Sequence, residues 1–491
     1  MRQRRACKVG YQNLEPFSQM KLPLHYVVND AMRPLAEKYL LPSIPKSFRV
    51  VEHIVQIRTS GNFQEDNWSS VLEARTRLIS DEIKRNPDNG LMVWCDADLI
   101  FFEDCSAAFH SIAHDIDLVF QRENNWNNDV NTGIQIIRRN QRTLAFYSEV
   151  LKNQTRMPLG ALVGSLLQAN KGVAWNLLPL TYSSESNGGC RAESIVYHAN
   201  CTAGDSLRKK QTQLEAAQAN KEQSFMGFRC KKEGKLITEC FRDFGTRNEA
   251  TTGLINLAIE RHAIPDFDWV YVYTGDGQAT LSFLGKRAFG YATTTNIYDN
   301  VCPDFSFNHW RETGMDDYEE TRLQMSEAGG GTPETNMLGW RGNLETNSVR
   351  RSLIKFHDGV DFDLECNVWI VNAQNRLTGS NFVSLTDHAK RWRYLMDVEG
   401  VGWSARLKLF FFSRRVVFLQ DRPYKEWYFP LLEPWKHYVP VCRDLSDLRD
   451  KLNTVKKNVG LEDRIRLSAY EFATKHLTRN AALMRWTTLL A

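Results

Sequence analysis

Two carboxylates one residue apart, Asp96 and Asp98, follow the apolar run Leu91-Met92-Val93-Trp94-Cys95 and precede Leu99-Ile100-Phe101-Phe102. At the end of a buried strand, where the chain turns, such a pair can jointly hold a hard divalent cation whose other ligands are diphosphate oxygens. The pattern alone carries little weight, because Asp115/Asp117, Asp266/Asp268 and Asp361/Asp363 repeat it. Only the first has the strand before it and the apolar run after it. A second cluster lies toward the other end of the chain. Gly400-Val401-Gly402-Trp403-Ser404 has two glycines that let backbone approach a ligand, and Arg406 and Lys408 add positive charge. With Ser404 as N-cap of the apolar run Leu407 to Phe412, a helix start would join that charge and make a phosphate cradle. Gln420-Asp421-Arg422 ends the strand Val416 to Gln420, where open α/β sheets collect their ligands, and Glu426 lies just beyond. A third candidate is Asp276 in Thr274-Gly275-Asp276-Gly277-Gln278. A strand-end Asp between glycines suits a general base for an acceptor hydroxyl, and equally a plain turn residue.

The elements that must position these groups read as α/β throughout. Buried strands are expected at Leu24 to Val28, Phe48 to Gln56, Leu91 to Cys95, Asp117 to Phe120 and Ile134 to Ile137, the last preceded by Asn131-Thr132-Gly133. Helical spacing covers Met32 to Leu40 and Val71 to Ile83, and Val196 to Asn200 brings a late His198. Residues 206 to 223 are charged and free of Gly, Pro and aromatics, which reads as a solvated linker helix. Beyond it come a short hairpin (228–230 and 235–237), a helix over Ala250 to Ala258 and a strand over Trp269 to Tyr273. A Gly-rich surface loop follows at 326–336, without P-loop spacing. Ala389, Trp392, Leu395 and Met396 share one face of an expected amphipathic helix that stops at Gly400. Helices are expected again over Leu461 to Leu490.

The stretch Asp387 to about Val441 resembles the C-terminal signature of family-90 glycosyltransferases, the protein O-glucosyltransferases and capsule-associated proteins. That resemblance implies that Val401, Gly402, Trp403, Ser404, Ala405 and Arg406 line the donor's diphosphate, with Arg406 the main contact, and that Glu426 faces its nucleoside or sugar. It implies further that Asp276 is the catalytic base and that Ser306 and Phe307, in Phe305-Ser306-Phe307, line the sugar-nucleotide site. Trp340-Arg341-Gly342 matches the family's (F/W)RG turn, and Arg350 corresponds to its diphosphate arginine, with Arg351 a one-residue alternative. The acidic pair, the NTG triplet and the late histidine, in that order, resemble nucleotide-diphospho-sugar transferases of the GT-A fold. By that resemblance Asp96, Asp98 and His198 are ligands of Mn2+ or Mg2+, and Asn131, Thr132 and Gly133 help hold sugar or acceptor. Taken alone, His198 reads as well as a hydrogen-bonded core histidine. Many of these enzymes carry an acid some thirty residues after the triplet, where this chain reads Met157-Pro158-Leu159-Gly160-Ala161-Leu162; Glu185 and Glu193 are the substitutes within reach.

The expected organisation is a GT-A-like single Rossmann-type domain over residues 1–204, a helical linker over 205–224, and a GT-B-like module over 225–491 with two Rossmann-like lobes, about 225–350 and 351–491. The implied function is a bifunctional glycosyltransferase, with a metal-dependent first module and an inverting second module that needs no metal. The donor expected is a UDP-sugar such as UDP-glucose or UDP-xylose, and the acceptor a hydroxyl of a glycan or glycoprotein. Two alternatives remain: a first module that binds carbohydrate or nucleotide without turnover, and a sugar phosphatase of the haloacid dehalogenase type with Asp96 as nucleophile. Composition narrows the field. With 42% hydrophobic and 24% charged residues the 491-residue chain reads as soluble and globular, and a net charge of +4 from 62 basic and 58 acidic side chains marks neither a nucleic-acid binder nor a polybasic membrane patch. No segment approaches the roughly 20 apolar residues of a membrane span, so the cytoplasm is the expected location, with the secretory lumen as the alternative if a leader is missing. Ten cysteines without CxxC spacing read as reduced thiols; in a luminal chain Cys230 and Cys240 could pair.

Overall fold

The computed structural model describes residues 21–59, 67–123, 129–154, 158–169, 172–182, 190, 193–200, 205–280, 282–295, 297–367, 370–371, 377–379 and 381–491. It forms two units, Met1–Lys221 and Glu222–Ala491. Glu185 lies outside the described residues. Among the described residues no helix is long and apolar enough to cross a membrane.

The first unit is built on a six-stranded sheet in the order β2-β1-β3-β6-β5-β7. Its strands are β1 (Leu22–Val28), β2 (Phe48–Ile54), β3 (Leu91–Cys95), β5 (Leu118–Arg122), β6 (Val130–Arg138) and β7 (Trp175–Leu177). A short antiparallel ladder joins β4 (Leu99–Phe101) to β8 (Val196–His198). The apolar run of β3 is continuous because both faces of the sheet are covered: Val93 and Cys95 enter one core, and Met92 and Trp94 the other. β3 runs parallel to β1 but antiparallel to β6. Asn131, Thr132 and Gly133 therefore lie inside β6, rather than before it as the sequence suggested. The helix Ser206–Ser224 forms, yet it is not merely solvated. Glu215 accepts from Lys38 Nζ and Tyr39 Oη at 2.8 and 2.9 Å, and Lys221 Nζ donates to the Ser194 carbonyl at 2.8 Å, so its residues up to Lys221 pack on this unit.

The second unit has two principal sheets. The first orders β9 (Gly227–Glu233), β10 (Lys235–Arg242), β11 (Phe267–Tyr273), β12 (Ser282–Phe283) and β13 (Lys286–Gly290) as β10-β9-β11-β13-β12. Only β11 and β13 are parallel, so this lobe is mixed and not the Rossmann-like lobe expected. The hairpin register sets Cys230 opposite Thr238 and Cys240 opposite Phe228; Cys230 is buried and Cys240 exposed, and both are free thiols. The other sheet is fully parallel, in the order β15-β14-β18-β19-β20, from β14 (Thr335–Gly342), β15 (Phe362–Cys366), β18 (Trp392–Asp397), β19 (Val416–Gln420) and β20 (Val439–Val441). A two-residue ladder, β16 (Ile370–Val371) with β17 (Leu377–Thr378), lies apart.

Four expectations change here. The helix expected to run to Gly400 stops at Arg391, and Trp392 to Asp397 is a central strand with Leu395 in one core and Tyr394 and Met396 in the other. A strand buried on both faces lacks alternation, so helical spacing could be read into it. Trp340-Arg341-Gly342 lies within β14 and is no turn, and the second lobe starts before Thr335 instead of at 351. Ser326 to Gly330 complete the helix Tyr318–Gly330, so only the rest of the expected glycine-rich loop is loop. The terminal helix Arg479–Leu490 returns to the first lobe, where Arg479 Nε donates to the Phe307 carbonyl at 3.0 Å and Arg287 Nη1 donates to the Leu489 carbonyl at 3.1 Å.

Candidate active sites

In the first unit, β3 ends at Cys95 and delivers Asp96 and Asp98 to a cavity of about 540 Å³. The backbone fixes both: Asp96 N–H donates to the Gly133 carbonyl at 2.9 Å, and Ala199 N–H donates to the Asp98 carbonyl at 3.0 Å. In the β4–β8 ladder His198 pairs with Leu99, which brings its ring to the same place. His198 Nδ1 meets Gln121 Oε1 at 3.0 Å, so Nε2 faces Asp98 Oδ1 at 3.4 Å and Asp96 Oδ2 at 3.8 Å. One ligand atom from each of the three residues lies within 4.8 Å of the others. Two carboxylates and an imidazole oriented from behind fit a divalent cation such as Mn2+ or Mg2+. Gly133 is needed at its position, since a Cβ there would lie 2.2 Å from His198 Cε1.

The structure adds residues that the sequence did not single out. Arg75, from the helix Trp68–Arg85, bonds Asp96 and donates to Thr132 Oγ1 at 2.8 Å, and Lys210 bonds Asp98. Burial raises the Asp98 carboxyl, but Lys210 and His198 outweigh it and hold the group well below the ordinary carboxylate range. Asn131 faces inward: its Oδ1 accepts from Gly133 N–H and its Nδ2 donates to Glu123 Oε2, both at 2.6 Å. Glu123 Oε1 also accepts from Asn200 at 2.8 Å, and Glu123 and Asp129 both line the cavity. Acids are thus present at the cavity although 159–164, the start of the helix Leu159–Ala169, has none. No spacing rule pointed to Arg75, Gln121, Glu123 or Lys210, which converge from two helices and from β5 with the residue that follows it.

In the second unit the carboxyl end of β18 is Asp397, fully buried. Ser404 Oγ donates to Asp397 Oδ1 at 2.7 Å, Arg422 Nη1 to Oδ2 at 2.7 Å, and Arg406 Nε lies 3.5 Å away. Ser404 therefore is not the helix cap expected of it; the helix Leu407–Phe412 is six residues long, follows Arg406 and has no side-chain cap, so the predicted cradle at its start gives way to an arginine cluster. Arg350 is buried, donating from Nε to the Glu399 carbonyl at 3.0 Å and from Nη1 to the Asn343 carbonyl at 2.8 Å, whereas Arg351 is exposed and pairs with Glu345. Arg350 and Arg406 both lie over the Trp340 ring, at 5.5 and 5.8 Å. Burial and then the charge of Arg406 lower the Arg350 guanidinium to about 9, and burial lowers Arg406. Arg406 Nη2, Arg422 Nε and Nη2, and Glu426 Oε2 are buried with no hydrogen-bond partner among the described residues, although Arg422 Nη2 and Glu426 Oε2 pair as ions at 3.9 Å. Unmet donors on crowded cations at the ends of parallel strands favour an anion.

Asp276 follows β11, and its Oδ1 accepts from Arg247 Nη1 at 2.9 Å. Gly402 meets it from the other lobe: a Cβ on Gly402 would fall 1.8 Å from the Asp276 carbonyl oxygen. Two backbone hydrogen bonds between Thr293 and Lys425, each 2.9 Å, tie the lobes nearby. Val401 is exposed, while Trp403 and Ala405 are buried. Ser306 and Phe307, expected on the wall of the site, are buried instead. Ser306 N–H and Oγ both donate to Asp304, which takes a 2.7 Å ion pair from Lys408, and Phe307 packs 4.8 Å from that ammonium. Both thus support Lys408 beneath the site. Glu426 is also buried, accepting from Tyr428 Oη at 2.9 Å.

Comparison with known proteins agrees with this division. Residues 46–214 match the nucleotide-diphospho-sugar transferase family, and residues 243–491 match glycosyl transferase family 90. Protein O-glucosyltransferase 1 of Rattus norvegicus is 37% identical over 108 residues, 22% of this chain and 27% of the relative. O-glucosyltransferase rumi of Drosophila melanogaster is 27% identical over 247 residues, 46% of this chain and 60% of the relative. The chain spans about a quarter of the rat relative's length and less than two thirds of the fly relative's. A solved glycosyltransferase involved in the glycosylation of the major capsid of PBCV-1 is 12% identical, with a TM-score of 0.30, covering 40% of this chain and 100% of its own. Since residues 243–491 make up just over half of its 491 residues, this chain belongs to glycosyl transferase family 90.

Proposed function

We propose that the chain is a bifunctional glycosyltransferase, a GT-A-like module followed by a two-lobed module that is Rossmann-like only in its second, fully parallel lobe, each with its own sugar-nucleotide site. The observation that carries the second site is the pair of unmet donors, Arg406 Nη2 and Arg422 Nε, on buried arginines that lie beside Arg350 and across the lobe contact from Asp276. Asp276 takes the proton of an acceptor hydroxyl, whose oxygen attacks the anomeric carbon. The bond from that carbon to the diphosphate oxygen breaks with inversion, and the nucleoside diphosphate leaves against the arginines. Arg247 holds the Asp276 carboxylate in place. Fixed cations take the electrostatic role of a metal here, so this transfer proceeds without one. The donor is a UDP-sugar, with glucose in keeping with the relatives' names and xylose the alternative, and the acceptor is a glycan or glycoprotein hydroxyl.

In the first module Asp96, Asp98 and His198 would hold Mn2+ or Mg2+, which when bound neutralises the charge of a leaving diphosphate. Arg75 orients Asp96 and Thr132, while Glu123 fixes Asn131 and Asn200 at the cavity wall. Glu123 and Asp129 favour turnover over the binding-only alternative, which rested on the missing acid. Both family matches are to transferases, and neither supports the phosphatase alternative. UDP binding measured by calorimetry in EDTA tests the second site. Arg406→Met should weaken binding by about 10- to 100-fold, the usual worth of a charge-assisted hydrogen bond, and unchanged affinity would refute the assignment.

A further inference from the structure

Each carboxylate of the first site already has a cation of the protein's own. Arg75 bonds Asp96, Lys210 bonds Asp98, and Asp98 is almost wholly buried. Two negative charges meet two positive ones before any ligand arrives. A divalent cation entering alone must either displace Lys210 from buried Asp98 or sit beside its ammonium, and low local dielectric makes that like-charge contact costly. A nucleoside diphosphate entering with it brings compensating negative charge and gives Lys210 another anion to bond.

We propose that Lys210 couples metal to diphosphate in the first unit: it occupies Asp98 as a built-in counter-ion, opposes binding of the metal alone, and yields only when the diphosphate is present. This rests on the reading of Asp96, Asp98 and His198 as metal ligands. The arrangement of the helix Ser206–Ser224 fits such a device. Its later turns are fastened by Tyr39 and Lys38 to Glu215, and by Lys221 to the Ser194 carbonyl and Glu103, so Lys210 can leave Asp98 while the helix stays docked. Arg75 is held differently, since its second bond to Thr132 keeps it in place. Linkage requires the effect to be reciprocal, so the metal must raise diphosphate affinity by the factor that the diphosphate raises metal affinity.

The test is Mn2+ binding to the full chain, followed by electron paramagnetic resonance, with and without saturating UDP, for wild type, Lys210→Met and Lys210→Arg. Wild type and Lys210→Arg should bind Mn2+ weakly alone and at least about tenfold more tightly with UDP, within the usual range of coupling between sites. Lys210→Met should bind Mn2+ alone about tenfold more tightly than wild type and lose most of the UDP enhancement. Equal Mn2+ affinity in wild type and Lys210→Met without UDP overturns the coupling while leaving the metal site standing. Absence of Mn2+ binding in all three proteins, even with UDP, overturns the metal site itself and the coupling with it.

Discussion

Replacing Gly402 by Ala places a methyl group 1.8 Å from the Asp276 carbonyl oxygen and 3.0 Å from its carbon. Real Cβ contacts essentially never fall below 3.0 Å, so the two backbones must separate by at least about 1.2 Å, and neither partner is a flexible side-chain end. Gly402 precedes the Trp403 to Arg406 segment, and Asp276 is the proposed base. The separation therefore acts on the distance between base and leaving-group site. A displacement near 1 Å at a reacting centre costs on the order of 100-fold in rate, and overpacking of this kind costs about 1–3 kcal/mol of stability. The assay is EDTA-resistant donor hydrolysis or transfer at saturating donor, alongside urea unfolding and circular dichroism. The expected result is a kcat lower by about two decades in a protein that remains folded. Wild-type kcat in a folded Gly402→Ala protein would refute the claim that these lobes meet to form one site.

A methyl on Gly133 would lie 2.2 Å from His198 Cε1 and 2.4 Å from Nδ1, so Gly133→Ala should displace the ring, break its bond to Gln121 and weaken Mn2+ binding by about 10- to 100-fold; unchanged Mn2+ affinity would count against His198 as a ligand. Glu426 gives a pH signature. Burial raises its carboxyl from 4.5 to about 7, against the opposing pull of Arg422 and Lys408. A raised acid binds its proton more tightly when folded, so its contribution is full below pH 4.5, falls as pH rises to about 7 and is level beyond. Glu426→Gln should gain stability relative to wild type across that window, by up to about 3 kcal/mol, seen in urea unfolding at pH 4.5 and pH 8. A gap between the two proteins that does not change with pH would contradict this.

The sequence was most legible where local chemistry and element type coincide. Asp96 and Asp98 stood out because a strand buried on both faces reads as an unbroken apolar run ending in two acids, and the register of β4 with β8 completes the set with His198. It was least legible where long-range pairing overrides local pattern. Trp392 to Asp397 carried helical spacing, yet its hydrogen bonding to β14 on one side and β19 on the other makes it a central strand. Ser404 looked like a cap because only its neighbours were visible, whereas its partner Asp397 ends the preceding strand. Ser306 and Phe307 were read as a lining, but Ser306 is turned onto Asp304 and Phe307 packs against Lys408, the partner of Asp304 about a hundred residues away. Arg75, Glu123 and Lys210 could not be found at all, since their meaning lies in which carboxylate or amide each one reaches across the fold.

The central claim is that the chain carries two sugar-nucleotide sites that work by different electrostatics. The most direct measurement is donor hydrolysis over UDP- and GDP-sugars, with Mn2+ or with EDTA, for wild type, Asp98→Asn and Asp276→Asn. The account predicts that Asp98→Asn abolishes only an Mn2+-dependent activity and Asp276→Asn only an EDTA-resistant one. A single activity lost in both variants would contradict it.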